Sequence, residues 1–171
     1  MNEDFAIVPG GLKSGVQSFE WHADKKFFRD FENSGIPDAG LDIRAEVLKS
    51  GALLKIDGAI KGKVVTLCDR CLGPLEIPVS VGIALDVAFG GAKVPSVEGR
   101  ELIELGEDED TLDFAQVVYD YVMTSLPIVR THPEGECDPE VVKYLSQAGE
   151  DTPESSPESP FKSLKTLLDK K

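Results

Sequence analysis

Residues 41–49, LDIRAEVLK, and residues 52–60, ALLKIDGAI, decide the fold. In both, apolar and polar side chains alternate, the period of a strand with one face buried and one face wet. Ser50-Gly51 between them is a tight-turn signal, so the two strands pair as a hairpin. Outward from that hairpin, residues 63–68 (KVVTLC) follow after Lys61-Gly62, and residues 75–90 (LEIPVSVGIALDVAFG) follow the Gly73-Pro74 break. Short turns join antiparallel neighbours, whereas parallel ones need long crossovers, and residues 41–89 therefore read as an antiparallel meander. Pro78 puts its stretch at an edge or a bulge, because proline cannot donate to the ladder.

On the N-terminal side, Val16 to His22 has Phe19 and Trp21 alternating with polar neighbours, another strand. Asp24 is placed to cap a short helix carrying Phe27, Phe28 and Phe31, aromatics that read as core. On the C-terminal side, residues 90–100 read as an exposed loop and ELIEL as a short strand, followed by the acidic turn Gly106 to Asp110. Thr111 or Asp113 can cap a helix to about Ser125, with Phe114, Val117, Val118, Tyr121 and Val122 on one face. Leu126-Pro127 ends it, and a further helix fits Pro139 to Gln147.

The expected fold is α+β: an antiparallel sheet of about five or six strands, curled or partly barrel-like, with two or three packed helices. Residues 1–147 form one domain. Residues 148–160 (AGEDTPESSPESP) read as a disordered Pro/Ser/Glu linker. Residues 161–171 read as a short amphipathic helix, with Phe161, Leu164, Leu167 and Leu168 opposite a basic face.

The chain has 171 residues, with 18 Lys/Arg against 31 Asp/Glu, a formal charge of −13 and a pI near 4.5. Residues 101–160 hold 2 Lys/Arg against 16 Asp/Glu, while 161–171 hold 4 against 1. A surface this acidic argues against a broad nucleic-acid footprint and against an anionic membrane. A basic protein partner suits it better. With no long apolar run and no signal-peptide pattern at the N-terminus, the expected location is the cytoplasm. No phosphate-binding glycine loop, nucleophile elbow or HExxH occurs, so no enzyme and no small-molecule substrate are expected.

The three cysteines make no disulfide framework. Cys68-Asp69-Arg70-Cys71 is a Cys-x-x-Cys pair after a strand, and His132 and Cys137 stand in an irregular segment further on. Together they form a Cys₃His set of the kind that closes around one structural zinc. Glu134, Glu136 and Asp138 would favour a cation there. Two other readings stay open: free thiols without metal, and a redox pair of Cys68 and Cys71, although activated pairs usually open a helix. His22, beside Trp21, reads as a strand surface histidine.

Several pieces carry a family resemblance. They are Cys68-Asp69-Arg70-Cys71-Leu72 after a strand, the strand to Val87-Ala88-Phe89, Leu112-Asp113 after the acidic turn, Leu126-Pro127-Ile128-Val129, and then His132 with Cys137. In these the chain resembles the YceD-like family, known as large ribosomal RNA subunit accumulation proteins. Gly11 to Gly15, Phe27-Phe28 and the tail from Pro160 to Lys165 look like its Bacteroidetes branch. The resemblance implies a non-enzymatic role in accumulation or processing of large-subunit (23S) ribosomal RNA. Such a factor would bind a ribosomal protein, an assembly factor or the RNA itself. For direct RNA contact the candidates are Lys61, Lys63 and Arg70, around the meander turn and the cysteine pair. The alternative is a thiol redox or metal-handling protein that uses Cys68 and Cys71.

Overall fold

In a computed structural model of the chain, residues 3–32 and 34–150 are described. Seven strands and three α-helices follow in order: β1 (Ala6–Ile7), β2 (Gly15–Asp24), α1 (Lys25–Arg29), β3 (Asp38–Ser50), β4 (Leu53–Leu67), β5 (Pro74–Ala88), β6 (Glu101–Glu104), β7 (Leu112–Asp113), α2 (Phe114–Ser125) and α3 (Pro139–Glu150). The main sheet has the order β2-β3-β4-β5-β6, and β1 pairs with β7 in a separate two-stranded ribbon. The fold is thus α+β, with an open sheet that does not close into a barrel.

Alternation sets which face is buried. Leu41, Ile43, Ala45 and Val47 of β3 are buried, as are Leu54, Ile56, Ile60 and Val64 of β4. Ile83, Leu85 and Val87 of β5 join them in one core with Phe27 and Phe28 of α1 and with Phe114, Val118 and Val122 of α2. Each helix has an aspartate cap. Asp24 accepts from the N–H groups of Lys26 and Phe27, and Asp113 from those of Ala115 and Gln116. Both helices lie on the same side of the sheet, and its other face carries Glu20, Asp42, Arg44, Lys61 and Glu76, all exposed.

Two features differ from the sequence reading. Lys61-Gly62 does not break the chain: β4 runs unbroken from Leu53 to Leu67. Glycine serves close approach here, since a Cβ at Gly62 (φ 149°) would lie 2.1 Å from the carbonyl oxygen of Gly40 on β3. The second difference is β6, which pairs parallel to β5, so the sheet is mixed where an antiparallel one was expected. Residues 89–100 make the crossover that this requires.

Arg100 holds that crossover down. Its guanidinium donates to Asp86, Asp57 and the carbonyls of Ile56 and Leu85. Asp86 is buried at 8% exposure and would otherwise be an unpaired charge on the sheet. Pro78 lies below the stretch of β5 covered by β6, which pairs only with Leu85 to Ala88, so it does sit on an edge. The helix expected over 139–147 is α3, and it continues to Glu150. The rest of the expected linker and the tail helix lie outside the described residues. Among the described residues, no helix is long and apolar enough to cross a membrane.

Candidate metal centre

The end of β4 and the start of β5 are joined by a tight knuckle. The N–H of Cys68 donates to the carbonyl of Gly73 (2.8 Å), and the N–H of Leu72 donates to that of Cys68 (2.9 Å). Closing it forces Leu72 to φ 58°, a left-handed conformation that costs a residue with a Cβ. The turn leaves Cys68 and Cys71 pointing to one side. No helix begins there, unlike the setting of an activated redox pair.

The segment after α2 comes back to the knuckle through a two-bond clasp. The N–H of Asp69 donates to the Arg130 carbonyl (2.7 Å), and the N–H of Arg130 donates to the Asp69 carboxylate (2.6 Å). Arg130 also reaches the hydroxyl of Thr66 (3.3 Å). The clasp delivers His132 and then Cys137 to the two thiols, across 61 and 69 residues of chain.

The ligand atoms of Cys68, Cys71, His132 and Cys137 all lie within 4.8 Å of one another. Cys68 Sγ is 3.9 Å from Cys137 Sγ, and His132 Nδ1 is 3.4 Å from Cys71 Sγ and 3.9 Å from Cys137 Sγ. Tetrahedral zinc with ordinary bond lengths has edges of about 3.8 Å between sulfurs and about 3.6 Å from sulfur to nitrogen. The donors present fit such an ion.

The surroundings prepare these donors. The His132 Nε2–H donates to the carbonyl of Pro74 (3.0 Å), which leaves Nδ1 facing the sulfurs with its lone pair. That carbonyl also raises the pKa of His132. Burial alone would push the Cys68 thiol up, but the backbone N–H groups of Cys71, His132 and Arg70 reverse this and hold it down at about 6. The N–H groups of Asp138 and Gly73 lower Cys71, while burial and then the neighbouring thiols raise Cys137. N–H groups aimed at sulfur stabilise thiolate, the form that binds metal. All three cysteines are free and buried, and among the described residues Leu75 and Val141 are the partly buried apolar side chains packed on them, as a cluster apart from the main core.

All four expected ligands are therefore brought together. Glu134, Glu136 and Asp138 flank them and are exposed. The candidate RNA contacts are dispersed: Lys61 and Lys63 are on the open face of the sheet, Lys63 paired with Glu76 at 2.8 Å, while Arg70 is exposed on the knuckle. Sequence reasoning missed the Asp69–Arg130 clasp and the Pro74 carbonyl. The aspartate between the cysteines was the signal for the first, and no side-chain pattern marks the second.

An ion held by all four residues would have no open position for a reacting water. Comparison with curated proteins and with solved structures finds no match. The family described as large ribosomal RNA subunit accumulation protein YceD matches residues 56–168, a stretch that holds β4 from Ile56 on, β5, the knuckle, α2, His132 and Cys137. The chain belongs to the YceD family.

Proposed function

We propose that the chain is a non-enzymatic cytoplasmic factor that supports accumulation of large-subunit ribosomal RNA by binding a basic ribosomal protein or assembly factor. One zinc ion held by Cys68, Cys71, His132 and Cys137 is its structural clip. The family match over 56–168 carries the ribosomal part of this reading. A net charge of −13 favours a cationic protein over naked RNA. The closed ligand set favours a structural over a catalytic ion.

The test is a strain lacking the chain, complemented with wild type or with Cys137→Ser. Loss of large-subunit RNA relative to small-subunit RNA is expected without the chain, and wild type restores it. An unchanged RNA ratio would sink the ribosomal reading. Salt separates the partners: RNA held through phosphates dissociates steeply as salt rises, with a slope that counts the phosphates. A protein partner with an apolar contact persists. Elemental analysis of untagged protein checks the clip, with one zinc per chain expected; a chain without metal whose three thiols react at once would restore the redox alternative.

A further inference from the structure

α3 is held to the domain by its first turn and overhangs beyond it. Val141 lies against the cysteine cluster, and among the described residues no strand or other helix makes an extended contact with α3. At about 100° of rotation per residue, Val142, Tyr144 and Leu145 share a face with Val141. They are 37%, 74% and 48% exposed. The apolar stripe of a surface helix normally faces a core, and this one faces water. The exposure is also local. Of the eleven large apolar side chains left exposed among the described residues, six are these three with Leu72, Ile128 and Val129, on the knuckle and the segment after α2.

The chain itself carries a complement to that face. α3 ends at Glu150, and residues 151–160 separate it from residues 161–171, FKSLKTLLDKK, which lie outside the described residues. Placed on a helix, Phe161, Leu164, Leu167 and Leu168 share one face. An isolated helix this short is marginal in water, so the pattern is stable only against an apolar surface. Reach is sufficient: ten extended residues span up to about 33 Å, and α3 is about 18 Å long. The family match over 56–168 runs on through this apolar stripe to Leu168.

Charge agrees with the same pairing. Residues 131–146 carry Glu134, Glu136, Asp138 and Glu140, all exposed, against Lys143 alone. With Asp69, Arg70 and Arg130 of the knuckle and its clasp counted, acids still outnumber cations. Residues 161–171 carry Lys162, Lys165, Lys170 and Lys171 against Asp169. An antiparallel return brings Lys170 and Lys171 to the start of α3, where Asp138 and Glu140 stand.

We propose that the apolar face of α3 is the docking site for residues 161–171 of the same chain, which lie back along it as an antiparallel helix. Leu164 and Leu168 cover Val142 and Leu145, and Phe161 packs toward the end of α3. A second copy can offer the same segment, but a short tether holds its own at an effective concentration of about a millimolar. The proposal goes beyond the ribosomal reading and does not depend on it.

The test is NMR of the full-length protein, methyl-labelled and metal-loaded as purified. We expect nuclear Overhauser contacts between the Phe161 ring and the methyl groups of Val142 or Leu145, unchanged on dilution. Leu164→Lys combined with Leu168→Lys should abolish them. In hydrogen exchange that variant should lose at least about tenfold of the protection of 142–150 and 163–169, the effect of exposing one buried leucine. Residues 41–47 and 54–66 should be unaffected, which shows that the domain is intact. Leu145→Lys should release 163–169 by a similar factor.

Absence of any contact between Phe161 and Val142 or Leu145, or exchange that is the same in the variants and the wild type, would each overturn the proposal. Contacts found only between labelled and unlabelled copies would assign the face to a second chain and overturn it too. So would contacts of Phe161 with Ile128 and Val129 that leave Leu145 free.

Discussion

Removal of the proposed zinc ion should detach one segment and spare the sheet. Apart from contacts to the cysteine sulfurs, four hydrogen bonds tie residues 130–132 back to the domain: the two of the Asp69–Arg130 clasp, Arg130 to Thr66, and His132 to Pro74. At about 1 kcal/mol net each they supply about 4 kcal/mol. A structural zinc supplies about 10–16 kcal/mol in comparable small sites, which makes the ion the dominant tie. The cysteines pack in a cluster separate from the main core, so their release removes nothing from under Ile43, Ile56 or Leu85. With metal bound, the segment opens only with the whole domain, whose stability is about 10 kcal/mol in a typical case. Without it, opening costs about 4 kcal/mol. The difference of about 6 kcal/mol corresponds to about a ten-thousandfold loss of amide protection, at 1.4 kcal/mol per factor of ten. Hydrogen exchange read by mass spectrometry, before and after chelation, measures this. Residues 131–146 should lose protection while 41–47 and 54–66 keep theirs. Exchange in 131–146 that is equally slow with and without metal would refute the clip, and simultaneous loss in β3 and β4 would refute the separation of the two cores.

Three further outcomes are expected. Arg100→Met leaves the Asp86 carboxylate buried without its partner and should destabilise the domain by about 3 kcal/mol, read from urea denaturation midpoints; Arg100→Met combined with Asp86→Leu should recover most of that loss. Gly62→Ala forces a methyl group against the Gly40 carbonyl on β3, and the separation it needs should cost about 3 kcal/mol in the same assay. The N–H of Lys26, assisted by that of Phe27, holds the Asp24 carboxyl below its ordinary 3.8. A depressed folded-state pKa contributes stability that is present above 3.8 and lost as pH falls through the folded value, so the amide shifts of Lys26 and Phe27 should titrate with a midpoint below 3.8. Movement centred above 3.8 would contradict that hydrogen bond.

The meander was legible because its strands are half-wet: alternation over 41–47 fixes the buried face without reference to any partner. Caps were legible for a similar reason, since Asp24 and Asp113 act on amides two and three residues away. What escaped depends on close approach between distant residues. Gly62 looks like a turn residue in one dimension and is a spacer in three, because the Cβ it lacks would fall on a carbonyl of the neighbouring strand. The direction of β6 escaped for the same cause. Nothing in residues 101–104 distinguishes a parallel from an antiparallel partner, and the deciding residue is Arg100, an ordinary loop arginine until Asp57 and Asp86 stand beside it. The metal centre falls between these cases. Ligand chemistry restricts its members to so few residue types that three cysteines and two histidines leave little choice, and His22 is excluded because it is committed to Asp42 on the open face of the sheet. The carbonyl of Pro74, by contrast, belongs to a group that every residue carries. Its role in turning His132 toward the thiols is set by the path of the backbone after the knuckle, and that path follows from the strained turn at Leu72.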